Sequence, residues 1–304
     1  NQNKKPVRAA HLDEQPWLKA SLKANSRFLR DRYWSDGMVR VGGRDYTAMV
    51  ESPCYLKGEL SCLSCHQMHH PQPGSKEMDL WLDDQVKSGM DSNEACLQCH
   101  EGMRDNLSEH THHTANSTGS SCYNCHMPHT TYGLLKGIRS HQIDAPSIKV
   151  NLETGRPNAC NLCHLDQTIE WSAEYLEKWY GQPKPVLNLE NRNIAASVLW
   201  LLKGDAGLRA LTAWHYGWKD AQEASGVSWQ VPILARLLED PYSAVRFITA
   251  RSLRSYTGLE DLDFDFLDEA SSWKTSVEKA LVAWETTQKA QNQILEPQRV
   301  LFKS

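Results

Sequence analysis

The sequence predicts a mainly α-helical chain in two parts, a loop-rich first domain over residues 1–185 and a short α-solenoid over residues 186–304. Three observations lead there. Cys-x-x-Cys-His occurs four times, at 62–66, 96–100, 122–126 and 160–164. The first 165 residues lack aliphatic runs and are rich in His, Ser, Asn, Gly and Pro, which is too little apolar material to close a protein core of that size. After residue 186 cysteine disappears and apolar residues recur with helical periodicity.

Each pentapeptide reads as a site of covalent c-type haem attachment. Two thiols add across the two vinyl groups of one porphyrin, and the adjoining histidine gives the iron its proximal imidazole. The attachment residues are therefore Cys62, Cys65, Cys96, Cys99, Cys122, Cys125, Cys160 and Cys163, with His66, His100, His126 and His164 as proximal ligands and four covalent haem c groups. Zinc knuckles are the rival, since paired cysteines also build Cys₄ sites. With 13 histidines in 304 residues, a histidine directly after all four pairs has a chance probability on the order of 10⁻⁶ if the pairs are only knuckles. A disulfide framework leaves the repeated pentapeptide unexplained. Successive motifs start 34, 26 and 38 residues apart, so each macrocycle has a few dozen residues to wrap it. Haem supplies the missing apolar volume, and neighbouring haems must lie close enough to pass electrons.

A haem iron with histidine on both faces suits electron transfer, whereas an open face invites a substrate. Nine further histidines stand at 11, 69, 70, 110, 112, 113, 129, 141 and 215, eight of them in the haem-bearing half. That is enough for bis-histidine ligation throughout. His69, three residues past a proximal histidine, is placed to reach a neighbouring haem rather than its own. His110 and His113, at i and i+3, project to one side of a helical turn. His141 lies in a connecting segment where a polar ring has little structural purpose. These four are the expected distal ligands, with His70, His112 and His129 in reserve and His11 more distant; His215, among tryptophans on a helix, reads as structural. Methionine ligation through Met68, Met103 or Met127 is disfavoured by the excess of histidine. Cys54 has no partner left within the chain, and an inert buried thiol, an intermolecular disulfide, a thiolate near an iron or an attachment point to something outside the chain all remain open for it.

The formal net charge is −4, and two propionates per haem take the loaded protein to about −8 oxidised and about −12 reduced, which excludes nucleic acid as a partner. No stretch approaches a transmembrane helix, and the N-terminal Asn-Gln-Asn-Lys-Lys-Pro is not a signal peptide. Haem is attached to such motifs outside the cytoplasm. The expectation is a periplasmic or extracellular protein whose leader has been removed.

A helix over 168–180, with Ile169, Ala173, Leu176 and Tyr180 on one face, is expected to pack over the last haem and to end in the Gly/Pro-rich linker 181–185. Beyond it, 194–203 with 206–216 and 232–239 with 242–256 form two helical pairs, their second helices starting 36 residues apart. Segment 273–295 reads as one long helix with Val277, Leu281 and Trp284 as its stripe. The acidic stretch 260–268 lacks the ligand spacing and glycine of a calcium loop and reads as a solvated connection. The run from Leu237, with Asp240 and Pro241 opening a helix whose Val245, Ile248 and Leu253 face inward, resembles a HEAT repeat, and the turn at Gly204 looks like a degenerate copy. Two pairs are fewer than a free-standing stack needs. The solenoid is therefore expected to dock on the haem domain or on a partner.

Taken in order, Ser52-Pro-Cys-Tyr, the first motif, His110-Thr-His-His, Cys122-Tyr-Asn-Cys-His-Met-Pro, Ser140-His-Gln-Ile and the fourth motif resemble multihaem cytochromes c that carry C-terminal HEAT or tetratricopeptide repeats. The centre is also similar to the haem core of pentahaem nitrite reductases and hydroxylamine oxidoreductases. The resemblance implies closely stacked, mostly bis-histidine haems, with redox proteins or other cytochromes as partners. It implies a catalytic Cys-x-x-Cys-Lys haem only for the nitrite reductases, and no such motif exists here. Two function classes follow. One is a conduit for single electrons with the repeats as docking surface; the other is an oxidoreductase acting on a small nitrogen or sulfur compound at an open-face haem. Haems continuing into another chain, through His11 or Cys54, would extend the first.

Overall fold

A computed structural model describes residues 31–69, 85–133 and 135–290. The chain forms two compact units, and the boundary expected at residue 185 falls inside the second of them.

The first unit takes in the described residues of 44–128 and 140–145. Its helices are short: α1 Asp45–Val50, α2 Pro53–Lys57, α3 Cys62–Cys65, α4 Glu94–Leu97, α5 Leu107–Thr111 and α6 Cys122–His126, with 3-10 turns at Glu101–Asn106 and Thr118–Ser120. Helices of four to six residues do not persist by propensity alone. Nor is there much core. Besides Pro128, the buried hydrophobic side chains among the unit's described residues are Ala48, Met49, Val50 and Leu97. Directional bonds do the joining instead. Gln67 N–H donates to the Gln85 carbonyl (2.8 Å) and Lys87 N–H to that of Cys65 (2.9 Å). Asn93 spans the second and third motifs, its Nδ2 donating to the Ser120 carbonyl (2.9 Å) while its Oδ1 accepts from Cys122 N–H (2.8 Å).

The second unit takes in the described residues of 26–43, 129–139 and 146–290. Strands β1 His129–Tyr132 and β2 Lys136–Arg139 form an antiparallel hairpin in which His129 faces Arg139 and Thr131 faces Gly137. A Cβ at Gly137 would lie 2.9 Å from the Trp214 ring, so glycine lets the hairpin lie flat on that indole. The helices are α7 Ile148–Thr154, α8 Ala159–Cys163, α9 Ile169–Tyr180, α10 Leu189–Asn193, α11 Ala196–Lys203, α12 Ala206–Tyr216, α13 Lys219–Ser225, α14 Val231–Leu234 running into a 3-10 turn at Ala235–Glu239, α15 Ser243–Leu253 and α16 Ala270–Ala290. Thr168 caps α9 by accepting from Trp171 N–H, and Gly181 in the left-handed region ends it. Pro232 opens α14, where its missing N–H costs nothing. In 260–268 Leu262 is buried while Asp261, Asp263, Asp265 and Asp268 are exposed, as a solvated connection requires.

One large core joins Leu165, Leu201, Tyr216, Leu234, Leu238, Val245, Ile248, Leu253 and Trp284; a smaller one joins Ile148, Leu162, Ile169, Ala173, Leu176, Leu187 and Trp200. The buried Asp240 carboxylate accepts from Arg209 Nε (2.6 Å) and Nη2 (3.0 Å), a two-pronged pair linking α12 to the turn before α15. His215 is fully buried; its Nδ1–H donates to the Leu211 carbonyl (2.8 Å), leaving Nε2 to accept from His129 Nδ1 at 3.2 Å. Trp214 and Trp218 flank His129 at 4.6 and 4.8 Å. Burial first, then the Arg139 charge, holds His129 well below its ordinary value, and burial takes His215 from 6.5 to about 3.

Four outcomes are expected. Asp240→Ala strands Arg209 in a buried position and lowers stability by about 3 kcal/mol in urea denaturation of the loaded protein. Lys203→Ala, which removes an exposed pair with Glu190, changes it by less than about 1 kcal/mol. Because the unfolded chain takes up at His215 a proton that the folded one refuses, stability drops as pH falls from 6.5 towards 3; the slope over that window becomes shallower in His215→Gln. Finally, truncation at residue 186 removes all of the core packed on Leu165 and part of that on Leu162, so intact-mass measurement should find the fourth motif without haem.

Candidate functional site

The four motifs share one local structure. The proximal histidine N–H donates back to the first cysteine carbonyl in His66 (2.8 Å), His100 (2.9 Å) and His164 (2.8 Å), and α6 contains the third motif whole. Each pentapeptide is thus a single helical turn, with its two thiols at i and i+3 on one side. That is the placement needed to meet two vinyl groups of one ring. None of the nine cysteines is in a disulfide, and among the described residues no three of His, Cys, Asp and Glu gather as an ion cage. Each thiol pair is followed directly by its own imidazole.

The surroundings of the thiols differ. Ser61 and Ser64 cap the first motif reciprocally, and Cys62 Sγ lies 4.0 Å from Met49 Sδ. Burial pushes the Cys65 thiol up, opposed by Lys87. The Cys96 and Cys122 thiols hydrogen-bond to each other, which raises Cys96, with burial adding to it, and lowers Cys122 against its own burial. The second and third motifs therefore present their first thiols side by side. In the fourth motif the Asn158 side chain caps α8, and the Asn161 amide donates to the Gln167 and Thr168 carbonyls (3.0 and 3.2 Å) while accepting from Ser172 (2.7 Å). Ser225 Oγ donates to the Cys163 carbonyl (2.9 Å) and receives Leu165 N–H (2.8 Å).

Two of the expected distal histidines lie opposite proximal ones with their rings near-parallel. His141 faces His66 with ring centres 6.0 Å apart and planes 26° apart, and His110 faces His126 at 6.1 Å and 9°. Imidazoles bonded to opposite sides of one iron at about 2 Å each have ring centres about 6 Å apart. The spacing fits that group, and so does the scarcity of buried apolar side chains around it. The far nitrogens of these rings, Nδ1, have polar neighbours of the kind that orient a ligating imidazole. His126 Nδ1 donates to the Asp144 carbonyl (2.8 Å), leaving Nε2 with its lone pair. His141 Nδ1 stands 3.0 Å from Asp45 Oδ1, and that contact holds the Asp45 carboxyl below the usual carboxylate range. Burial, then His126 and His112, holds His110 below its ordinary value.

The remaining expected ligands are placed differently. His69 is exposed. His113 donates Nδ1–H to the Thr111 carbonyl (2.6 Å), and its ring lies against Gly119, where a Cβ would come within 2.2 Å of it. His112, in the left-handed region, ends α5. His11 and His70 lie outside the described residues. Cys54 is half-buried in α2. Ile169, Ala173 and Leu176, expected over the last haem, pack into the protein core, and a separate stripe of rings runs from His164 through Trp171 (5.0 Å) and Tyr175 (4.8 Å) to Trp179 (4.5 Å). The i, i+4, i+8 spacing of those three aromatics was the signal for it. Among the described residues no helix is long and apolar enough to cross a membrane.

Residues 81–170, spanning the second, third and fourth motifs, match the family model described as "Cytochrome c7 and related cytochrome c". No curated protein and no solved structure matches the chain. The family match supports a multihaem c-type cytochrome, with haem c held covalently and electron transfer as its business.

Proposed function

We propose that this chain is a tetrahaem cytochrome of the periplasm or cell exterior, passing single electrons between redox proteins through closely spaced, mostly bis-histidine haems. The observation that carries this reading is the pair of near-parallel imidazole stacks, His66 with His141 and His126 with His110, at the separation one iron spans. When bound, haem supplies a metal that changes charge by one unit without changing its ligands; everything else is the chain's work. His66, His100, His126 and His164 would each hold one haem iron and His141 and His110 would be the second imidazoles of two of them, with the Asp144 carbonyl and the Asp45 carboxylate beside the far nitrogens of His126 and His141. His69 and His113 are retained as candidates for the remaining irons. The contact between Cys96 and Cys122 supports haems that neighbour each other.

Residues 186–304 act, in this reading, as a helical-repeat docking module. Its support is a recurring bond: Arg209 Nη1 donates to the Gly204 carbonyl (2.7 Å) and Arg246 Nη1 to that of Asp240 (2.6 Å), each turning back to the residue that leads into its own helix.

Intact mass should show four haem additions, and the oxidised protein should be wholly low-spin and indifferent to nitrite, hydroxylamine and carbon monoxide. His141→Ala and His110→Ala should each convert one haem to a five-coordinate, carbon monoxide-binding form. A high-spin haem in the unaltered protein, or a substrate-induced spectral change, would overturn the conduit in favour of an oxidoreductase with an open-face haem.

A further inference from the structure

The two imidazole stacks of the first unit differ in what stands behind their protonated nitrogens. Behind His126 is a neutral peptide carbonyl, that of Asp144. Behind His141 is a carboxylate: Asp45, in the first turn of α1, approaches Nδ1 to 3.0 Å. The approach is built in. Ser52, fully buried at the corner between α1 and α2, donates Oγ–H to the His141 carbonyl (3.0 Å) and accepts Ile143 N–H (2.8 Å). One hydroxyl thus clamps the backbone on both sides of the ligand against the helix that carries Asp45.

A carboxylate behind a ligating imidazole pulls the Nδ1 proton towards itself and makes the ring a stronger donor to the metal. Negative charge so delivered favours the ferric over the ferrous state and lowers the potential. A carbonyl does the same more weakly, because it carries no net charge.

Resting on the ligand reading above, we propose that Asp45 is a positioning and tuning residue that, through His141, makes the first-motif haem the stronger reductant of the two bis-histidine haems in this unit. Ser52 is the clamp that keeps the carboxylate in register with the ring. Electron transfer itself is unchanged in stoichiometry: one electron leaves or enters the iron, with the Asp45 carboxylate staying beside His141 Nδ1.

The test is spectroelectrochemical titration of the full-length haem-loaded protein. Asp45→Asn keeps the size of the side chain and removes its charge; all haems should remain low-spin while one midpoint potential rises. Asp45→Glu should leave that potential near the original value. His141→Met identifies the haem concerned by raising the same potential, and in that background Asp45→Asn should add nothing further. If His141→Met shifts a potential but Asp45→Asn leaves every potential where it was, the tuning role is overturned while the ligand reading stands. The tuning role also fails if the Asp45→Asn shift persists in full beside His141→Met, since the charge would then act without the imidazole. If His141→Met alters neither spin state nor potential, the ligand reading itself fails and the inference goes with it.

Discussion

A single helical turn, closed by the bond from the histidine N–H to the first cysteine carbonyl, is the constraint on which the rest of this structure depends. It puts two thiols on one side and sends an imidazole off the end, so the geometry of attachment is complete within five residues. The price in the first unit is that the turn has little else to lean on. Helices α3 and α6 are four and five residues long, below the length at which helix formation sustains itself, and the apolar side chains buried around them are few. A covalent group that binds only the folded arrangement then contributes its binding free energy to folding, as metals do in small metal-dependent domains. The haem-bearing unit and its haems are one thermodynamic object.

The second level of organisation is hydrogen bonding to the far nitrogens of the rings. An imidazole ligates through one nitrogen, and its orientation is decided at the other. In this chain those partners come from segments remote in sequence: Asp144 lies 18 residues beyond His126, and Asp45 lies far upstream of His141. The short segment 140–145 serves both stacks, since it carries His141 into one and the Asp144 carbonyl to the other. Ser52, by holding that segment at His141 and Ile143, therefore supports both rings with one buried hydroxyl.

What the sequence made legible follows the range of the interactions concerned. The attachment turns are local, and spacing alone identified them. Helices such as α9 and α12 were readable to within a residue because caps and periodicity are local too: Thr168 and Gly181 bound one, and Asp205 caps the other. His141 stood out as a lone polar ring in a connecting segment, and His110 through its i, i+3 spacing with His113. Their pairing with His66 and His126 was not readable, because it depends on Ser52 and on the 140–145 segment lying across α1 and α2. The β1–β2 hairpin escaped notice because four-residue strands of mixed polarity carry almost no alternation signal. Its stability comes from Trp214 beneath Gly137 and from Thr130 and Thr131, whose hydroxyls donate to the Arg40 carbonyl. His129 illustrates the same limit: alone it looks like a reserve ligand, and only its contact with the structural His215 across 86 residues reveals a relay ending on the Leu211 carbonyl.

The fourth motif obeys the same turn geometry under opposite energetic conditions. Its backbone is fastened by the side chains of Asn158, Asn161 and Ser172, and Leu162 and Leu165 are buried in the two cores of the second unit. The interactions that shape it are ordinary protein interactions and exist whether or not the thiols of Cys160 and Cys163 have reacted. The first three motifs sit where buried apolar side chains are scarce, and the first thiols of the second and third lie against each other. The same pentapeptide is thus a preformed receptor in one unit and a nucleus that needs its ligand in the other. The difference lies in what the surrounding chain can bury, since the five residues form the same turn in both.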